Sequence, residues 1–197
     1  MRIRRQIQDV GYCGPTCVSM LLESQGHHFS PHEIARAAGV TDTIVKMGSR
    51  IDQLAAAVYV LAPDFVILGK FNSDIDVLEV LNNQFGLAVG VEWQGRFLSD
   101  HDPFDVGHFS LVTEVNRIDG YIQLIDPDGM SFYTDGQIKI DEFQARWWED
   151  NELERGKKSR SAGLSFVIIR REDEQSLAVL QYEPVTFDFV RRSSVDL

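Results

Sequence analysis

The alternation of apolar and polar positions predicts a chain that is mostly helical in its first part and mostly strand in its second. Residues 2–8 (RIRRQIQ) read as a short extended lead-in, and the GYCGPT that follows as a turn cluster. Residues 16–25 predict a helix closed by Gly26. Ser30-Pro31-His32-Glu33 is a start signal for a second helix. Ser30 suits the N-cap, Pro31 the first helical position, and Glu33 completes a capping box. That helix is expected to reach about Ala38 and to stop at Gly39. A third helix is predicted over 50–61, capped by Ser49 and stopped by Pro63, with Ile51, Leu54, Ala55 and Val58 on one face. FVILGKF (65–71) is a short apolar strand. Ser73 then caps a fourth helix over 74–83, whose stripe is Ile75, Leu78, Val80 and Leu81.

The second part changes period. GLAVGVEW (86–93), HFSLVTEV (108–115), YIQLID (121–126) and GLSFVIIR (163–170) predict strands. Residues 117–120 are few enough to close a hairpin between the second and third of these. A brief helix is expected over 141–149, carrying Phe143, Trp147 and Trp148, and a polar, charged loop over 151–161. The tail reads as one helix over 172–180 and an extended piece over 185–190. Helices first and sheet second is an α+β pattern, with the N-terminal helical half packed on an antiparallel sheet. The expected organisation is one domain over 1–171 and a C-terminal extension, 172–197, joined to it or trailing from it.

Composition narrows the function. The 19 Lys+Arg and 30 Asp+Glu give a net charge of −11 over 197 residues. So acidic a surface argues against nucleic-acid or anionic-membrane partners and favours neutral or basic substrates. The longest apolar run is nine residues (54–62). A spanning helix needs about 20, so no span is expected. The N-terminus has no apolar stretch behind its basic residues and is not a secretory signal. Two cysteines, Cys13 and Cys17, are too few for a disulfide scaffold, and the simplest expectation is a cytoplasmic protein.

The chemistry gathers around Cys13. It sits in Tyr12-Cys13-Gly14-Pro15-Thr16, immediately before a predicted helix. The positive end of the helix dipole and its unpaired N–H groups favour a thiolate, the nucleophilic form. Gly14 allows a close turn under a carbonyl, and the Cys13 N–H can face an oxyanion. Of five histidines, His108 alone opens a clear strand. His27, His28 and His32 lie near helix ends, and His101 in a loop. Asp126 ends the strand after the one that His108 begins. If the two strands form a hairpin, Asp126 lies beside His108, where its carboxylate can accept the Nδ1–H and stabilise an imidazolium. Gln8 and Gln6 precede Cys13 by five and seven residues; a side-chain amide there can serve as a second oxyanion donor, and Gln8 is the nearer.

Gln8…Cys13-Gly14-Pro15-Thr16-Cys17…Gly107-His108-Phe109…Asp126-Pro127 resembles the papain-like cysteine peptidases that process bacteriocin leaders at a double-glycine motif, and more closely their stand-alone relatives without a transporter. The resemblance covers roughly residues 6–150. It implies a papain-like fold, with Cys13 as nucleophile, His108 as base, Asp126 as orienting acid and a glutamine in the oxyanion site. In that family the glutamine commonly lies six residues before the cysteine. Ile7 stands there in this sequence, so Gln8 and Gln6 are both candidates.

The expected function is a cysteine peptidase or amidohydrolase acting through an acyl-enzyme on a peptide or other amide-bearing substrate, free or within a protein, with no cofactor and no metal. An acyltransferase would use the same residues, with an amine in place of water. A papain-fold binding protein without turnover is the rival of a different class, and a redox sensor built on Cys13 and Cys17 is a third. Cys17, one helical turn beyond Cys13, is expected to be buried packing. A Cys13–Cys17–His metal site has no second paired motif behind it. Trp93, Trp147 and Trp148 could line a cleft or fill the core. The loop SDHDPFD (99–105) lacks the spacing of a calcium loop but could overhang the site.

Overall fold

The structure is a computed structural model that describes residues 3–95, 107–128, 136–154, 157–192 and 195–196. Helix α1 spans Cys13–Glu23, α2 Pro31–Ala37, α3 Ile44–Met47 and α4 Ile51–Leu61. Strand β1 (Phe65–Lys70) and helix α5 (Ile75–Asn83) follow. Then come β2 (Val89–Gln94), β3 (Gly107–Asn116), β4 (Tyr121–Ile125), β5 (Gln137–Lys139) and helix α6 (Ile140–Arg146). The chain ends with β6 (Trp148–Glu154), β7 (Lys157–Ala162), β8 (Ser165–Arg170), a 3₁₀ helix (Arg171–Leu180), β9 (Glu183–Pro184), α7 (Phe187–Arg192) and β10 (Val195–Asp196).

Seven strands form one antiparallel sheet in the order β5-β4-β3-β2-β8-β1-β9, and β10-β7-β6 form a second. Strand alternation feeds two cores. Phe65 and Ile67 of β1 join the core under α1, α2, α4 and α7, while Val66 and Leu68 join the one under α5, α6 and the 3₁₀ helix. This is the papain-like α+β fold, a mixed helix and antiparallel-sheet architecture.

Helix α1 is buried at every residue from Cys13 to Leu22. A helix so enclosed is held by packing rather than by propensity. Its fully buried Leu21 and Leu22 each contribute about 1.5–3 kcal/mol of apolar transfer. Close packing also fixes Gly90 opposite Phe166 in the β2–β8 pairing. A Cβ there would lie 2.1 Å from Phe166 Cζ. The bare backbone admits the ring, which packs edge-on against Phe109 at 6.0 Å.

Several predicted boundaries move. Helix α1 begins three residues before the predicted start, because Gly14 and Pro15 sit inside its first turn. A missing N–H is harmless there, since first-turn donors have no intrahelical acceptor. The Ser30/Glu33 capping box forms as expected. Ser49 does not cap α4. Arg50 holds that position, its N–H donating to Gln53 Oε1 at 2.8 Å, and Ser49 is buried beside Gly14 instead. Nor does Ser73 cap α5. Asp74 does, accepting from the Val77 N–H at 2.9 Å, while the Ser73 hydroxyl joins those of Ser165 and Tyr182.

The predicted loop over 151–161 is instead the β6–β7 hairpin. Its strands are acidic on one side and basic on the other in sequence, and the register sets Asp150 against Arg160. Opposite charges across a ladder stabilise it. The Arg160 guanidinium grips both Asp150 oxygens (2.7 and 3.0 Å) and lies over the Trp148 ring.

The piece predicted as extended at 185–190 contains α7, started by Thr186 Oγ1 accepting from the Phe189 N–H at 3.2 Å. Val185 and Phe189 fill the space above Gly69, where a Cβ would meet them at 2.7 and 2.9 Å. Through β9, which pairs with β1, the tail closes one edge of the main sheet. No helix among the described residues is long and apolar enough to cross a membrane.

Candidate active site

Cys13 is the first residue of α1 and is 8% exposed. The turn before it is set by Gly11, at φ +82°, which passes so close to Ile44 that a Cβ would lie 2.3 Å from the Ile44 carbonyl oxygen. Only glycine meets both demands. Gly14 is equally constrained. Its Cβ would meet Ser49 Oγ at 2.5 Å, Leu54 Cδ1 at 2.9 Å and Phe109 Cδ2 at 3.2 Å. The start of α1 therefore packs directly on β3, and this brings Cys13 to His108.

The β3–β4 hairpin supplies the other two groups. Leu111 pairs with Ile125, so Asp126 lies one step beyond, across from Ser110. Ser110 and His108 share a strand face. His108 and Asp126 are 2% and 4% exposed, and His108 Nε2 lies 2.8 Å from Asp126 Oδ1. This corrects the expected use of Nδ1. Asp126 sits two positions along the strand from His108, so the ring's far nitrogen reaches it and Nδ1 is left on the Cys13 side. The thiol is within hydrogen-bonding reach of the imidazole.

The electrostatics agree with this geometry. Burial pushes the Cys13 thiol up, but the hydrogen bond and charge of His108, with the Phe109 and Gly14 N–H groups, outweigh it and bring the group below its usual 9.0. Burial opposes the His108 charge, yet Asp126 and Cys13 together raise it to about 10. For Asp126, burial is outweighed by His108, the Asp128 N–H and the Ser110 hydroxyl, and the carboxyl falls below its usual range. A thiolate facing an imidazolium is the state these shifts favour. Such a pair carries the sulfur in its nucleophilic form.

Gln6 and Gln8 part company. Gln6 is engaged along α1, donating to Glu23 Oε2 at 2.8 Å and accepting from Ser19 at 3.1 Å. Ser19 is six residues on from Cys13, about 9 Å along the helix, so Gln6 is turned from the thiol. Ile7 is 63% exposed. Gln8 runs beside the acid-bearing turn, its N–H donating to the Pro127 carbonyl at 2.9 Å, and its side-chain Oε1 is buried without a hydrogen-bond partner.

Cys17 is fully buried, and burial, with the charges of Cys13 and Asp126, pushes its thiol well above 9.0. Both cysteines are free thiols. Trp93 and Trp147 are core residues rather than cleft lining. His32 lies tilted against Tyr12 and faces Asp9, and His27 meets Phe65 edge-on. The 99–105 loop, with His101, lies outside the described residues. Among the described residues no group of three or more His, Cys, Asp or Glu side chains is placed to hold a metal ion. Two residues not singled out from the sequence also reach this turn. Ser110 donates to Asp126 Oδ2 at 3.3 Å, and Arg5 donates to the Asp126 and Asp128 carbonyls at 2.6 and 2.7 Å. Strand alternation two residues after His108 was the available signal for Ser110. Arg5 had none.

The structure thus sets a cysteine at a helix N-terminus against a histidine and an acid from paired strands. Comparison with solved structures finds the same fold elsewhere. The peptidase domain of Streptococcus ComA, a bi-functional ABC transporter of a quorum-sensing pathway, superposes with a TM-score of 0.59 at 13% identity, over 87% of this chain and 100% of that one. A double-glycine-motif protease from an AMS/PCAT transporter, solved with its leader peptide, gives 0.56 at 13% identity over 86% and 92%. A C39-like peptidase from Bacillus anthracis gives 0.56 at 14% over 86% and 96%. No protein-family model and no curated protein sequence matches the chain. The fold is that of the double-glycine peptidase domains, and no helix among the described residues is long and apolar enough to cross a membrane.

Proposed function

We propose that this chain is a cysteine peptidase or close amidohydrolase that works through Cys13, His108 and Asp126. The observation that carries the reading is the buried His108, held by Asp126 through Nε2 at 2.8 Å and facing the Cys13 thiol with its other side. The Cys13 thiolate attacks the carbonyl carbon. The oxyanion that forms is met by the Cys13 N–H at the start of α1 and by the Gln8 amide, since Gln6 is committed elsewhere. His108 gives its Nδ1 proton to the departing amine, leaving a thioester. Water then attacks with His108 as base, and the thiolate leaves. A peptide substrate is supported by the fold neighbour solved with a leader peptide.

The test uses an activated ester and a peptide mixture, each followed by mass spectrometry. The expected result is an acyl adduct on Cys13 and peptide cleavage, both lost in Cys13→Ala and His108→Ala. A wild-type protein that forms no adduct, and whose Cys13 alkylates with the pH profile of an ordinary thiol, overturns the reading.

A further inference from the structure

Asp126 does not meet His108 alone. Its Oδ1 accepts from His108 Nε2 and from the Asp128 N–H, both at 2.8 Å. Its Oδ2 accepts from Ser110 Oγ at 3.3 Å. Ser110 Oγ in turn accepts from Trp93 Nε1 at 3.0 Å. Ser110 and Trp93 are both wholly buried. Ser110 faces Val91 across the β2–β3 ladder and Trp93 faces His108, so the indole reaches Ser110 diagonally.

The direction of this chain follows from chemistry alone. An indole nitrogen can only donate, and an ionised carboxylate can only accept. The Ser110 oxygen takes the Trp93 hydrogen, so its own hydrogen is free for Asp126. Asp126, supplied with donors at both oxygens, receives the His108 Nε2–H rather than giving a proton. That fixes Nδ1 as the nitrogen that exchanges protons with Cys13.

We infer that Ser110 is a positioning residue for this reaction, holding the Asp126 carboxylate in the plane of His108, with Trp93 orienting the Ser110 hydroxyl. The inference rests on the Cys13–His108–Asp126 reading above. A buried hydroxyl serving packing alone would be replaceable by any group of its size. One that orients Asp126 would not, and its effect would vanish once Asp126 is gone.

Threonine and valine are isosteric and differ only by the hydroxyl, so Ser110→Thr and Ser110→Val form the test. Each is measured for the rate of Cys13 alkylation by iodoacetamide across pH 5–9, with Asp126 present and as Asp126→Ala. With Asp126 present, Ser110→Thr is expected to stay within about threefold of wild type. Ser110→Val should fall about tenfold or more, the scale of one hydrogen bond to a charged group. In the Asp126→Ala background the two should coincide. If circular dichroism shows Ser110→Val unfolded, Ser110→Ala takes its place against Ser110→Thr.

Equal rates for the hydroxyl-bearing and hydroxyl-less variants with Asp126 present overturn the inference. A difference that persists undiminished without Asp126 overturns it too, because Ser110 would then act by another route. A wild-type Cys13 with ordinary thiol reactivity overturns the peptidase reading itself, and is seen before any Ser110 variant is made.

Discussion

Replacing Asp126 by asparagine tests how much of the site's chemistry is charge rather than shape. Asparagine keeps the size and one carbonyl oxygen for His108 Nε2, so the ring can stay where it is. The charge opposite a 2% exposed imidazole is lost. The rise of His108 from 6.5 to about 10 corresponds to a preference for imidazolium on the order of 5 kcal/mol. Asp126 is the larger of its two sources. Breaking a buried ion pair costs about 3–5 kcal/mol, the same scale by an independent route. If asparagine recovers about half through its hydrogen bond, some 2–3 kcal/mol is lost. The thiolate–imidazolium state then becomes about 10²-fold less favoured against the neutral pair.

The assay is limiting iodoacetamide at pH 5–9 with peptide-level mass spectrometry. Cys17, fully buried and pushed well above 9.0, is the internal control and should stay unmodified. Asp126→Asn is expected to lose Cys13 reactivity at pH 6 and regain part of it toward pH 9, where an ordinary thiol ionises. Superimposable profiles for the variant and wild type would refute the argument that Asp126 sustains the charged pair.

Gly14→Ala is expected to lower stability by about 1–3 kcal/mol, read from the denaturant midpoint. Its Cβ would press on Ser49, Leu54 and Phe109 at once, and the shift of α1 should also slow Cys13 alkylation. Gln8→Ala should reduce turnover of any cleaved peptide by about 10²–10³, the effect of losing one oxyanion donor. Gln6→Ala should leave kcat within a few-fold, and equal losses at the two positions would contradict the assignment. Stability should fall as pH rises from about 9 to 10. His108, raised to about 10, contributes fully below 6.5, and that contribution is lost as pH rises to 10. Cys13, lowered from 9.0, contributes fully above 9.0, and loses that contribution as pH falls through its folded value. Below 9.0 the two changes oppose one another, and above it only the His108 loss remains. Denaturant titrations of wild type and His108→Ala check this, since the alkaline fall should be absent from the variant.

The candidate residues of the site were legible because each stands at an element boundary. Cys13 precedes an apolar helix, His108 opens a strand and Asp126 closes the next. A four-residue connection between strands is a local signal, and it carried the His108–Asp126 pairing. What the sequence hid was decided by tertiary contacts. Gly14 and Pro15 look like turn formers, yet both lie in α1 because burial against β3 holds the first turn. The charges of 151–161 look like a solvated loop until the acidic and basic halves are set across a ladder. Val185 and Phe189 suit a strand by propensity, but Gly69 leaves the space that draws them into the turn and helix of the tail. Which His108 nitrogen serves Asp126 depends on a two-position offset along β3, and no spacing rule gives that.

The three groups are held by two separable devices. Strand pairing alone sets His108 against Asp126, since both stand on one hairpin and no helix intervenes. The thiol arrives independently, on a helix whose position depends on Gly14 lying flat against Phe109 and Ser49. The lead-in segment joins the two. Arg5 clamps the carbonyls of Asp126 and Asp128, and the Gln8 N–H takes that of Pro127. The segment that ends in Cys13 thus grips the turn that begins with Asp126, at three successive carbonyls. Because those bonds fall on backbone groups, they hold the turn without using the carboxylate, which stays available to His108 and Ser110. The same grip brings Gln8 beside the acid-bearing turn, so the lead-in carries the proposed oxyanion donor and braces the proposed orienting acid in one stretch of chain.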